Sequence, residues 1–249
     1  MKKAKKIILS FIIFVSLSFL FAPFNFPSNP QIQAIFNSPS QNDVIIIFNP
    51  GGFGNVPLEK AKDFAPIIER IQEILNEQGY NSIVIPYKRT KNDFLGKIGG
   101  IKESFRSFQD QSEKLAIEIN NFLEKNPDKK IIMAGLSNGA AFVNETMKKI
   151  SINLKNNIFA IEIGTPFWEK PLVSENVLFL DNNGKDPLSK GEIKTLFFTF
   201  LKAPIRLISS RFLGKNLSFS QAFYIPGHDY KWNTVGPKIS TFLEEKFSY

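Results

Sequence analysis

The sequence contains no cysteine in its 249 residues and only one histidine, His228. Without cysteine the chain cannot form a disulfide framework. A zinc site built from a cluster of cysteine and histidine ligands is excluded for the same reason. We expect no metal and no cofactor.

Dense clusters of basic residues are also missing. The formal net charge is +8, but four lysines lie within the first six residues, and the rest of the chain carries 27 basic and 23 acidic residues. A domain this mildly basic, with no compact Lys/Arg cluster, is not a natural partner of nucleic acid. A weak attraction to anionic lipid headgroups is compatible with the charge.

The amino terminus has the composition of a targeting segment. The four lysines precede an uncharged apolar run over residues 7–22, so residues 1–22 are a signal sequence or a membrane anchor. No A-x-A cleavage site follows, and Pro23 fits poorly after a cut at Ala22, so we favour a retained anchor over a cleaved signal. Basic residues stay on the cytoplasmic side, which puts the rest of the chain outside the cytoplasm. Residues 23–42, rich in Pro, Asn, Ser and Gln, predict a linker.

Residues 43–249 predict a single α/β domain. Six apolar, strand-like runs alternate with helix-like runs, and they cover 44–48, 82–86, 131–134, 158–163, 177–180 and 222–225. This alternation predicts a doubly wound, mostly parallel sheet flanked by helices.

Three further stretches carry predictions of their own. Residues 58–78 have the pattern of a long helix, and residues 88–112 predict a loop with a short helix near the site. Residues 193–213 are rich in Leu, Ile and Phe and are interrupted at Pro204. We expect a pair of helices packed in the core there, with a lid or a surface facing an acyl chain as the alternative.

A serine stands in a context that favours nucleophilic chemistry. Residues 135–139, Gly-Leu-Ser-Asn-Gly, fit the pattern G-x-S-x-G around Ser137. A buried strand precedes the pattern and a helix follows it, so the serine would lie on a tight, strained turn above the sheet. A serine hydroxyl is a poor nucleophile until a base takes its proton, and His228 is the one histidine available. The alternative is a glycine-rich β–α turn that carries an inert serine.

A second glycine-rich turn follows the first strand. Residues 49–54, Asn-Pro-Gly-Gly-Phe-Gly, can turn backbone N–H groups toward an anion, as acyl transfer requires for its developing oxyanion. A phosphate-binding loop is the alternative. However, the run lacks the closing Lys-Ser/Thr of a P-loop and does not satisfy G-x-G-x-x-G, so we favour an oxyanion loop.

The downstream loops supply a carboxylate and the histidine. The strand at 177–180 opens into a loop that contains both Asp181 and Asp186, and either carboxylate on this loop could orient an imidazole. His228 follows a Pro-Gly turn, just past the run at 222–225, and therefore belongs to a loop. Along the chain the order is oxyanion loop, serine, aspartate and histidine.

From Asp43 onward the chain resembles the α/β-hydrolase fold enzymes, including lipase-like and esterase-like members. The run PGGFG resembles that family's oxyanion loop, GLSNG its nucleophile elbow, NNGKDPL its acid loop and PGHDY its histidine loop. The run Gly164-Thr165-Pro166 also resembles a turn of lipase-like members, although Phe167 stands where they often have histidine.

The resemblance implies a role for each matching residue. Ser137 would be the nucleophile, His228 the base and Asp186 the acid that orients it, in preference to Asp181, because Asp186 lies beyond the glycine and before a proline. The oxyanion donors would be the backbone N–H groups of Asn138 and of either Gly52 or Phe53.

The function that we expect is hydrolysis of an ester, thioester or amide by a serine hydrolase outside the cytoplasm. Its partners would be a small-molecule or lipid ester substrate and, through residues 1–22, a membrane. The alternative is a binding or scaffold protein that kept the fold and lost the activity.

Overall fold

A computed structural model describes residues 27, 29–38, 41–91, 93–106, 108–215, 217, 222 and 224–248. Their strands form one parallel sheet in the order β2-β1-β3-β4-β5. The strands are β1 (Val44–Asn49), β2 (Ser82–Pro86), β3 (Lys130–Leu136), β4 (Ile158–Ile163) and β5 (Val177–Leu180). The predicted doubly wound α/β architecture is confirmed.

Helices cover both faces of this sheet. Among the described residues the helices are α1 (Pro30–Phe36), α2 (Ala65–Glu77), α3 (Phe94–Phe105), α4 (Gln109–Lys125), α5 (Asn138–Met147), α6 (Pro187–Lys190), α7 (Ile193–Phe212) and α8 (Trp232–Phe247). Helices α2 and α8 pack on one face, and α4 and α5 pack on the other. Short 3-10 helices span Leu58–Lys60 and Ile152–Asn157.

Strand β1 shows why the sheet is buried on both sides. All six of its residues are buried, and successive side chains point to opposite faces. Val44, Ile46 and Phe48 join a core with α2 and α8, whereas Ile45 and Ile47 join a second core with α4 and α5. Burial of each such side chain contributes about 1.5–3 kcal/mol, so the two cores fix the register of the central strand.

The strand order creates a crevice at one edge of the sheet. The chain leaves β1 toward β2 on one side, then crosses back to β3 on the other side of β1. Loops that follow β1 and β3 therefore diverge at the carboxyl ends of these strands, where open α/β sheets bind their ligands. This edge carries residues 50–54 and the turn at Ser137.

Several local predictions were wrong. Among the described residues at 222–225, Ala222 is helical and Tyr224 and Ile225 are not in a strand, so no sixth strand pairs with the described sheet. The helix predicted over 58–78 is a 3-10 turn followed by α2, because the chain turns again at residues 62–64. Residues 88–112 hold α3 and the start of α4, so this stretch is mostly helical.

The structure also differs from the prediction for residues 193–213. All of them except Leu213 form one continuous helix, α7, that runs through Pro204. Most of its large apolar side chains are exposed, so the expectation of a core-packed pair of helices was wrong. A helical period shows that one face is apolar, but it does not show whether that face points inward.

The predicted linker is partly folded onto the domain. Helix α1 lies within residues 23–42, its Ile32 is fully buried, and Phe36 stacks on Phe122 of α4 at 4.7 Å between ring centroids. The side chain of Asn29 accepts a hydrogen bond from the N–H of Lys88 at 2.8 Å. The targeting segment expected at 1–22 lies outside the described residues. No described helix has the length and apolar character needed to cross a membrane.

Candidate active site

Ser137 lies on a strained turn between β3 and α5. Its φ of 54° and ψ of −122° are unfavourable for a residue with a side chain, and such strain persists only where the surroundings enforce it. A Cβ at Gly139 would lie 2.1 Å from the carbonyl oxygen of Asn49, and one at Gly135 would lie 2.5 Å from that of Gly139. Both flanking glycines are therefore required for strand, turn and helix to pack this closely. The N–H of Ser137 donates to the carbonyl of Ile163 at 2.8 Å, which ties the turn to β4.

The structure brings His228 and Asp186 into direct contact. His228 Nδ1 lies 2.7 Å from Asp186 Oδ2, and the Asp186 carboxylate is fully buried. The loops that carry the two residues also pack on each other: Asn182 Nδ2 donates to the carbonyl of Gly227 at 2.9 Å. A Cβ at Gly227 would lie 2.4 Å from the carbonyl oxygen of Lys185, so only glycine allows this approach. The Pro-Gly turn thus sets the imidazole against the acid.

The Asp186 carboxylate is held in its ionised form by a shell of donors. Tyr230 Oη donates to Oδ2 at 2.6 Å, Ser189 Oγ donates to Oδ2 at 3.0 Å, and the N–H of Leu188 donates to Oδ1 at 2.8 Å. Burial alone would raise the pKa of Asp186, but the hydrogen bonds from His228, Tyr230 and Leu188 outweigh it and hold the pKa below its ordinary value. Burial and the adjacent carboxylate raise the pKa of Tyr230, so its hydroxyl stays protonated as a donor.

Asp181, the alternative acid, has a different role. Its Oδ1 accepts a hydrogen bond from the N–H of Gly184 at 3.0 Å, and its carbonyl accepts from the same N–H at 3.1 Å. These contacts close the turn at residues 181–184, in which Asn182 and Asn183 both have positive φ. The geometry therefore favours Asp186 over Asp181 as the partner of His228.

Gly164 connects the histidine to the serine turn. It follows Ile163, whose carbonyl accepts from Ser137, and it has a φ of 65°. A Cβ on Gly164 would lie 2.8 Å from His228 Cε1, so the imidazole packs directly on this glycine. Ser137 and His228 are not hydrogen-bonded to each other among the described residues. In ligand-free enzymes the distance between a nucleophile and its base is often too long for a hydrogen bond, and it shortens when substrate binds.

The two candidate oxyanion segments also meet. A Cβ on Gly51 would lie 3.6 Å from Ser137 Cβ, so the loop after β1 runs beside the serine. Asn138 is the first residue of α5, so its N–H has no acceptor within its own helix. Gly52 has a φ of 58°, and its carbonyl accepts from Asn138 Nδ2 at 3.3 Å. Backbone donors of Asn138 and of Gly52 or Phe53 therefore belong to neighbouring segments.

Arg89 joins these segments, and sequence reasoning missed it. Its guanidinium donates from Nη1 to the carbonyl of Asn138 at 2.9 Å and from Nη2 to the carbonyl of Pro50, with a longer contact of 3.5 Å to the carbonyl of Gly52. The side chain is buried and lies over the rings of Phe108 and Phe142. Burial lowers the pKa of Arg89 to about 9, which keeps the group charged at neutral pH. One buried cation thus fixes both sides of the candidate oxyanion site.

A second buried titratable group lies next to the serine turn. Glu162 in β4 pairs with Gly135 and is fully buried on the side of the sheet that α5 covers. Its Oε2 accepts from Thr165 Oγ1 at 3.5 Å, while Oε1 has no hydrogen-bond partner among the described residues. Burial raises the pKa of Glu162 to about 8, so the group is mostly a neutral carboxylic acid at neutral pH.

Comparison with known proteins bears on the fold. No family model and no curated protein sequence matches the chain. Among solved structures, the chain is similar to a cutinase of Trichoderma reesei in complex with a C11Y4 phosphonate inhibitor, with a TM-score of 0.51 and 13% identity. The match covers 89% of this chain and 86% of the cutinase. The chain has the α/β-hydrolase fold. At this identity the similarity shows the fold alone, and the α/β-hydrolase fold hosts several chemistries.

Proposed function

We propose that this protein is a serine hydrolase that cleaves an ester, thioester or amide through an acyl-enzyme. The observation that carries the proposal is the buried Asp186–His228 pair, at 2.7 Å, on the sheet edge where Ser137 occupies its strained turn. An ionised acid, an imidazole and a serine on adjacent loops are the three groups that this chemistry requires. The shared fold with a cutinase solved with a phosphonate inhibitor supports the proposal.

The reaction would proceed in two halves. His228 takes the proton of Ser137 Oγ while the oxygen attacks the substrate carbonyl, and the tetrahedral intermediate collapses to the acyl-enzyme. The imidazolium returns its proton to the leaving alcohol, thiol or amine. Water, deprotonated by His228, then attacks the acyl group, and Ser137 Oγ regains the proton as the acid product leaves. Asp186 holds Nδ1 protonated, so that Nε2 is the atom that accepts and returns the proton.

Two backbone donors would stabilise the oxyanion. The N–H of Asn138 and that of Gly52 or Phe53 belong to segments that Arg89 holds together, so the donors would be in place before substrate binds. Preorganised donors of this kind need no rearrangement at the transition state, and loss of one costs about 100-fold to 1,000-fold in kcat in a known serine protease.

The location that we propose is outside the cytoplasm, with the chain anchored through residues 1–22 or secreted after their removal. The order of lysines and apolar residues in the sequence supports this placement. The substrate would then be an ester that this side of the membrane meets, either a small molecule or a lipid.

Hydrolysis of p-nitrophenyl esters of increasing acyl length tests the proposal on the full chain. The wild type should release p-nitrophenol, and Ser137→Ala should reduce the rate to background, because no other group replaces the nucleophile. Ser151→Ala is the matched control, since Ser151 is exposed and its side chain caps no helix. Equal rates for Ser137→Ala and the wild type would exclude Ser137 as the nucleophile.

A further inference from the structure

Helix α7 has the reverse of the usual pattern for a surface helix, in which apolar side chains are buried and polar ones are exposed. Its buried positions carry small or polar residues, Thr199, Ala203 and Ser210, together with Leu196. Its outward positions carry large apolar side chains: Ile193, Phe197, Phe198, Leu201, Ile205, Ile208 and Phe212. The hydroxyl groups of Thr199 and Ser210 donate hydrogen bonds to carbonyls of their own helix. These bonds therefore do not attach the helix to other elements.

The outward face is an extended apolar surface. The relative exposure of its seven residues runs from 53% to 88%, and the surface continues past the helix end at Leu213. Single exposed apolar residues are normal on proteins, but a contiguous patch of this kind marks a surface that is covered in use. We name this surface, residues 193–213, the α7 face.

The α7 face is also the positively charged part of the domain. Residues 193–213 contain four basic residues and no acidic residue, whereas the rest of residues 43–249 contains 23 basic and 23 acidic residues. The net positive charge of the folded domain therefore resides here. Lys194, Lys202 and Arg211 are exposed, and none of them forms a salt bridge within the described part of the chain. An apolar helix face bordered by unpaired cations has the composition of helices that lie in a membrane interface.

The position of α7 links this face to the candidate active site. The helix begins three residues after α6, whose first turn Asp186 caps, and Arg206 donates to the carbonyl of Tyr224, in the segment that leads to His228. The exposed rings of Phe167 and Trp168 lie beside its start, because the Phe167 ring packs against Gly191. A partner that covers α7 would therefore contact the loops of the candidate active site.

The charge decides which occupant fits. A second copy would bring an equally positive α7 face into contact with the first, and like charges across an interface oppose association. The amino-terminal segment of the same chain is apolar but carries four lysines in its first six residues, so it would add positive charge. A bilayer that contains anionic phospholipid offers both an apolar phase for the side chains and negative headgroups for the cations.

We propose that the α7 face is a docking surface for an anionic lipid bilayer, with the apolar side chains at the headgroup and acyl boundary and the lysine and arginine side chains on the headgroups. The helix lies in the plane of the membrane. Lipid binding by this face does not depend on whether the protein hydrolyses an ester.

The absence of cysteine allows a direct test on the full chain, because one introduced cysteine is the only labelling site. Ile205→Cys on the α7 face and Ile152→Cys in the 3-10 helix before β4 are matched in residue type and in exposure, 67% and 71%. Each variant, labelled with an environment-sensitive fluorophore, is reconstituted into vesicles of phosphatidylcholine with or without about 30% phosphatidylglycerol. Nitroxide groups on the lipid acyl chains serve as quenchers, and circular dichroism checks the fold of each variant.

The proposal predicts that the label at position 205 is quenched at least about threefold more than the label at 152, and more strongly in the vesicles with phosphatidylglycerol. Salt of about 0.5 M should reduce that lipid preference. Combined replacement of Lys194, Lys202 and Arg211 by glutamine should remove it.

Three results would overturn the proposal. Equal quenching at both positions would mean that the α7 face does not meet lipid. A label at 205 that is shielded from water but not quenched by lipid would mean that protein covers the face, and cross-linking between two copies at 205 would identify the second copy as the cover. An unchanged phosphatidylglycerol preference in the triple variant would remove the role of the cations.

Discussion

Replacement of Arg89 by methionine tests whether one buried cation organises the candidate oxyanion site. The change removes the guanidinium donors to the carbonyls of Pro50 and Asn138 and leaves these acceptors without their charged partner. A hydrogen bond to a charged group contributes about 1.5–3 kcal/mol, so loss of two should lower the free energy of unfolding by about 3–6 kcal/mol. Methionine fills similar volume beside Phe108 and Phe142, so packing accounts for little of this change.

The effect on catalysis should be separate from the effect on stability. If Arg89 keeps the loop at residues 50–54 against the first turn of α5, its loss misplaces one oxyanion donor, and kcat should fall about 100-fold to 1,000-fold. The KM should change much less, because the donor acts on the transition state. Arg89→Lys should recover part of the rate, since an ammonium group can reach one carbonyl but cannot bridge two.

The assay is hydrolysis of a p-nitrophenyl ester, measured well below the unfolding transition of each variant, alongside denaturant unfolding. Arg70→Met is the control, because Arg70 is half exposed, pairs with Glu73 of its own helix and lies over the ring of Trp232, and neither contact involves residues 50–54 or Asn138. A variant Arg89→Met that is destabilised but keeps the wild-type kcat would refute the positioning role and leave Arg89 as a purely structural residue.

Three further predictions address the acid, the buried glutamate and the membrane. Asp186→Asn should lower kcat/KM by about four orders of magnitude, since the imidazole loses its orienting partner, whereas Asp181→Asn should cost less than about tenfold; the reverse order would move the acid role to Asp181. Glu162 has a pKa of about 8 in the folded protein against 4.5 ordinarily, so the unfolded chain releases its proton first and stability should fall as pH rises between these values. Glu162→Gln should therefore stabilise the protein at pH about 8 and hardly at pH about 4.5; a stability difference independent of pH in denaturant unfolding would contradict this. In cells, the full chain should fractionate with membranes and resist extraction by high salt; a soluble protein that begins near Pro23 or later would instead indicate a cleaved signal.

The features that could be predicted from the sequence are those that depend on a few consecutive residues. The glycines at 135 and 139 and the strand and helix around them are local, so the turn at Ser137 could be predicted from a few residues. The parallel sheet could be predicted because strands buried on both faces are continuous apolar runs. The site roles of Ser137, Asp186 and His228 stay predictions that the functional experiments must test.

The contacts that the sequence did not predict depend on residues distant along the chain. Arg89 reaches the carbonyl of Asn138, 49 residues away, and Tyr230 reaches Asp186, 44 residues away. Arg89 belongs to no motif, and the run PGHDY gives no role to its final tyrosine. The orientation of α7 was missed because apolar periodicity predicts a buried face without saying what buries it. Helix α1 was missed because its polar neighbours resemble a linker, while its burial depends on Phe122 of α4.

The central claim, that Ser137 is an activated nucleophile, is tested most directly by its reaction with a fluorophosphonate. A fluorophosphonate phosphonylates a serine only where a base removes the hydroxyl proton. Incubation of the full chain with the reagent, followed by intact-mass and peptide analysis, should show one phosphonyl group, carried by Ser137. Labelling should disappear in Ser137→Ala and His228→Ala, and should remain in Ser151→Ala. No modification of the folded wild type, or modification at a different serine, would contradict the claim.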